Sequence, residues 1–165
     1  DRSVSRGLGD VYKRQFIGGP SGKYGNEYLE ELEQTVKNLS LDTHVEFVDN
    51  LPQTKIIKLL NKAKLLIHTS QFETFGLVAI EAQTMGVPVL SINNGSLMEI
   101  IENNKNGYLS ETLIDRGVTN FVNNLFNENK IFEKISSSCI QMSKKYDWKK
   151  TSQIIQNIYE ELVTY

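Results

Sequence analysis

A chain of 165 residues, 39% hydrophobic and 23% charged, has the length for a sizeable core and the balance of an ordinary soluble globular protein. Its net charge of −2 leaves no electrostatic footprint for nucleic acid, and no run approaches the roughly 18 apolar residues of a membrane span. Cys139 is the only cysteine, which excludes an internal disulfide; with no basic-then-apolar leader, the expected compartment is the cytoplasm.

Asp1–Gln15 stands apart, because its arginines and glycines follow neither a helical nor a strand period. Residues 1–13 are read as an expression scar or foreign leader and set aside. Residues 14–165 are read as one domain. Phe16-Ile17 leads as a strand into Gly18-Gly19-Pro20-Ser21-Gly22, where paired glycines either let a ligand approach the backbone or simply turn the chain. Gly18-x-x-x-Gly22-Lys23 is one residue short of a phosphate-binding P-loop, and Tyr24 replaces its Ser/Thr.

Tyr24–Leu39 is an amphipathic helix with Tyr28, Leu29, Leu32, Val36 and Leu39 on one stripe. Val45–Val48 reads as a strand, and Ile56, Ile57, Leu60 and Ala63 form the inner face of the next helix. Leu65–His68 is an apolar run of strand length. A polar loop follows, and a helix opens at about Thr74–Gly76. Such a helix start attracts anions, since unpaired N–H donors and the positive dipole end coincide there. Glu73 precedes its first turn and Glu81 lies eight residues on, about two turns, so both carboxylates can line one cleft. The plainer readings are a carboxylate at a helix start for Glu73 and a solvent-facing residue for Glu81. His68 either faces the cleft or is satisfied by a neighbouring carbonyl.

Val87–Ile92 is a further strand. Ser96 and Glu99 have the spacing of a capping box for a short helix, and Asn106-Gly107 makes a turn before the strand Tyr108-Leu109. The remainder is helical: Val118, Phe121, Val122, Leu125 and Phe126 form one face, and Phe132, Ile135, Cys139, Met142 and Tyr146 another. Trp148 opens a last helix. Alternating strands and helices predict an α/β fold, a Rossmann-like parallel sheet flanked by helices. No histidine has a metal-ligand partner at useful spacing, and no Asp-x-Asp occurs, so neither a protein-bound metal nor a cofactor is expected.

Glu73-x-Phe75-Gly76-Leu77-x-x-x-Glu81-Ala82 after an apolar strand, followed by Met85-Gly86-Val87-Pro88-Val89, resembles the E-x7-E region of retaining glycosyltransferases of the GT-B fold, family 4 type. The order of segments from Phe16 to Tyr165 is similar to that family's C-terminal, donor-binding domain without its beginning. The resemblance implies a metal-independent transfer of a sugar from a nucleoside-diphosphate sugar to a glycan, lipid or protein acceptor. It gives Glu73 the catalytic position. It places Gly18, Gly19, Phe75, Gly76, Leu77, Val78 and Glu81 around the donor, with Phe75, Gly76 and Leu77 N–H groups toward the sugar and Glu81 toward the ribose. Ser96 departs from the family's glycine. The Arg and Lys that clamp the diphosphate in the family have no match at Arg2, Arg6, Lys13 or Arg14, and an acceptor-binding N-terminal domain is expected as a missing partner. The isolated chain is therefore expected to transfer little or no sugar. A sugar-nucleotide epimerase, a glycogen-synthase-like enzyme and a non-catalytic nucleotide-binding scaffold are the rival readings.

Overall fold

A computed structural model describes residues 13–163. The chain divides between Ile56 and Ile57 into two compact units, each described by itself.

In the first unit, β1 (Arg14–Ile17) and β2 (Val45–Val48) pair in parallel, Phe16 opposite Phe47. The two rings stack with centroids 5.2 Å apart. Between the strands runs α1 (Gly25–Asn38), the crossover that a parallel pair requires. Its inner stripe is narrower than periodicity predicts. Leu29, Leu32 and Val36 are half-buried, whereas Tyr28 and Leu39 are exposed. The helix α2 (Gln53–Leu60) follows, and the division between the units falls within it.

The second unit is built on a three-stranded parallel sheet in the order β3 (Leu66–His68), β4 (Val89–Ile92), β5 (Gly107–Ser110). β4 lies in the middle, and Val89, Leu90 and Ser91 are buried, the unbroken pattern of a strand covered on both faces. α3 (Leu77–Thr84) connects β3 to β4, and the four-residue α4 (Leu97–Ile100) precedes β5. Ala79, Ile80 and Ala82 of α3 pack with Val87, Val89, Leu97, Ile100 and Ile101 in one core. Burying each of the larger aliphatic side chains is worth about 1.5–3 kcal/mol.

α5 (Arg116–Asn127) and α6 (Asn129–Ser143) enclose a second core of Phe121, Leu125, Ile135 and Cys139. Asp115 caps α5 by accepting the Val118 N–H, and the Ser110 hydroxyl donates to its other oxygen. The Ser110 bond first, and the Val118 bond next, hold the Asp115 carboxyl below its ordinary range. Cys139 donates to the Asn106 carbonyl, and burial pushes its thiol up to about 12, as expected of a core residue. A short 3-10 turn leads to α7 (Trp148–Val163).

Two local expectations change. Ser96 stands at the start of α4, but its hydroxyl caps nothing, and Glu99 joins it only through a backbone turn, Glu99 N–H to Ser96 C=O. β5 begins at Gly107 itself. The turn before it is carried by Asn104, at φ 61°, and by the buried Asn106, whose side chain bonds the backbone of Ile100 and Glu102.

Candidate functional site

The site is built where β3 gives way to α3. Gly76 makes the junction: at φ 81° it is left-handed, and a Cβ there would lie 2.7 Å from Ile100 Cδ1 and 3.0 Å from Leu97 Cδ2. Glycine is what such a turn demands.

Glu73 is outside the helix, so two turns of helix do not describe its relation to Glu81. Its chain turns back instead. Oε1 accepts the N–H of Gly76 at 2.9 Å and of Phe75 at 3.1 Å. Oε2 lies 3.2 Å from His68 Nε2, with the two side chains 22% and 12% exposed. These N–H bonds, Gly76 first and Phe75 next, hold the Glu73 carboxyl below its ordinary value, with a further pull from His68. Of the two readings of His68, the neighbouring carbonyl is not the one found: the ring's partner is the Glu73 carboxylate. The ring is backed by Ser91, whose hydroxyl donates to the His68 carbonyl at 2.9 Å and lies 3.5 Å from Nδ1.

The N–H groups of Phe75 and Gly76 are thus already engaged within the protein. In the first turn of α3, Leu77 and Val78 have N–H groups that the helix itself does not use, and both residues are exposed. Glu81, on the third position after Val78, is half-buried; its carboxylate meets no donor among the described residues.

The loop before α4 closes onto the same place. Asn94 donates to the Ser70 carbonyl at 2.6 Å, and Ser96 N–H reaches the Glu73 carbonyl at 3.4 Å. Gly95, at φ 48°, has the Glu73 carbonyl where a Cβ would stand. The Ser96 hydroxyl and the Asn94 side-chain oxygen are left buried without a partner. The sequence signal for Ser96 was its departure from glycine; nothing marked Asn94.

Gly18 and Gly19 belong to the other unit. Gly18 N–H extends the strand pairing to Val48 C=O at 2.9 Å, and Gly19 N–H donates to Asn50 Oδ1 at 3.1 Å, which is a side-chain-stapled turn. Among the described residues no group of three or more His, Cys, Asp or Glu stands together as metal ligands, and no helix is long and apolar enough to cross a membrane.

The parallel sheets flanked by helices define an α/β, Rossmann-like protein of the GT-B glycosyltransferase class. Among solved structures the fold resembles Anabaena Alr3699/HepE in complex with UDP, at a TM-score of 0.78 and 26% identity over 93% of this chain and 41% of that one. The complex of the same protein with UDP-glucose matches at a TM-score of 0.74 and 27% identity, with the same coverage. A family model, glycosyl transferases group 1, matches residues 8–138, and the chain belongs to that family. The match reaches back into the segment that the sequence set aside. Curated relatives include the D-inositol 3-phosphate glycosyltransferase of a Nocardioides species, 28% identical over 87% of this chain. The α-1,3/1,6-mannosyltransferase ALG2 of Dictyostelium discoideum is 29% identical over 95%. The chain spans only 32% and 38% of their lengths.

Proposed function

We propose that the chain is the donor-binding domain of a retaining, metal-independent glycosyltransferase. It would bind a nucleoside-diphosphate sugar at the amino end of α3 for transfer to a glycan, lipid or protein acceptor. The observation that carries this reading is the open first turn of α3 beside an anchored glutamate. Leu77 and Val78 N–H groups and the helix dipole suit the diphosphate, whose negative charge grows as the glycosidic bond to it breaks. Glu73, ionised and fixed, suits the sugar's hydroxyls, since charged acceptors make the stronger bonds. Phe75 and Gly76 support the sugar indirectly, by holding Glu73. Glu81, without a donor of its own, suits the ribose hydroxyls. The UDP and UDP-glucose complexes of the Anabaena neighbour support a nucleotide sugar as the ligand.

The test is a titration of the chain with UDP, GDP and ADP sugars. One nucleotide class is expected to bind, and Glu81→Ala is expected to weaken it about tenfold or more, as befits loss of a charged hydrogen-bond acceptor. Binding of none of the panel would overturn the reading. Because the chain covers about a third of its curated relatives, the 165 residues alone are expected to bind donor yet transfer little. Robust turnover by the purified polypeptide would contradict that expectation.

A further inference from the structure

We propose that His68 is a positioning residue: its Nε2 holds the Glu73 carboxylate in the orientation from which Oε2 meets a hydroxyl of the bound sugar, an inference that rests on the donor-site reading above. An ionised carboxylate only accepts, and it has about four acceptor positions. Oε1 is committed to Phe75 and Gly76, so the capacity left for a ligand lies on Oε2, beside His68. The two bonds to Oε1 fix one oxygen but leave the carboxylate free to swing the other. His68 removes that freedom.

Its own freedom is small. The residue is paired with Ser91 in the parallel sheet, its ring is 12% exposed, and the wholly buried Ser91 bonds its carbonyl. The strand thereby fixes a side chain of the loop. Bracing the turn before α3 does not account for the contact, because the bonds to Phe75 and Gly76 use Oε1 alone. Since Oε2 accepts, the ring proton toward Glu73 sits on Nε2. A ligand hydroxyl then meets an acceptor already oriented, so less freedom is lost on binding.

The experiment compares UDP with UDP-glucose, by calorimetric titration of the 165-residue chain, its His68→Ala variant and its His68→Gln variant. His68→Ala is expected to weaken UDP-glucose about tenfold while changing UDP by less than about twofold. His68→Gln keeps an N–H donor near Nε2 and is expected to recover most of the loss. A His68→Ala chain that binds UDP-glucose like the wild type would overturn the positioning role and leave the donor site standing. Equal losses for UDP and UDP-glucose would reduce His68 to a structural residue. If the wild type ignores the UDP pair, the same comparison is made with the nucleotide class it does bind; absence of binding to UDP-, GDP- and ADP-sugars alike would overturn the donor-site reading and this inference together. If His68→Ala does not fold, nitrogen NMR of the wild-type imidazole decides: a proton on Nε2 is expected, and a neutral ring protonated only on Nδ1 overturns the proposal.

Discussion

At Glu73 one carboxylate performs two tasks that a sequence treats as alternatives. It satisfies donors at the start of α3, and it leaves an oriented oxygen beside His68. The first task has a pH signature. Native bonds hold the Glu73 carboxyl below its ordinary value of 4.5, so the folded state binds its proton less readily than the unfolded one. The stabilisation is therefore full above about pH 4.5 and fades as the pH falls through the lower, native value. Glu73→Gln is expected to flatten this part of the acid limb in a series of denaturant unfolding curves, whereas the part due to Asp115 stays, since that carboxyl is lowered by Ser110 and Val118. An acid limb identical in the variant would show that Glu73 is not engaged in solution.

At the scale of the elements, the strongest constraint on the second unit is the approach of β5 to β4. Gly107 pairs with Val89, and a Cβ on it would meet the Val89 carbonyl oxygen and, at 2.9 Å, Ile101 Cγ2. Backbone does not yield as a side-chain tip does. Gly107→Ala is expected to cost about 2 kcal/mol or more in denaturant unfolding, and a cost near zero would mean the pairing is loose. The order of strands and helices was legible beforehand because apolar run length and helical spacing carry it directly. The place of α3 after β3 was legible for the same reason, although the helix opens at Leu77, just past the expected Thr74–Gly76. The engagement of Phe75 and Gly76 N–H groups was not, since a residue before a helix obeys no 3.6-residue period. The His68–Glu73 contact spans a strand end and a loop, a separation that no local rule predicts. Ser96 misled because capping-box spacing says nothing of the side chain's rotamer. Tyr28 and Leu39 misled because an apolar stripe fixes which way a helix faces, not how far its cover extends.

At the scale of the molecule, the last helix is uncovered along its apolar face. Ile154, Ile155, Ile158 and Leu162 of α7 are 59%, 47%, 51% and 67% exposed, an apolar face of the kind that associates. Concentrated solutions are expected to self-associate. Ile158→Glu is expected to reduce this in sedimentation while shifting stability by no more than about 0.5 kcal/mol, because the side chain is already half in water. Unaltered association in that variant would place the contact elsewhere. Trp148, the chain's single tryptophan, opens this helix and is 80% exposed. Nature has thus installed a label at the edge of the bare face: its emission starts red, and whatever comes to lie over the indole will announce itself by turning the spectrum blue, without any dye.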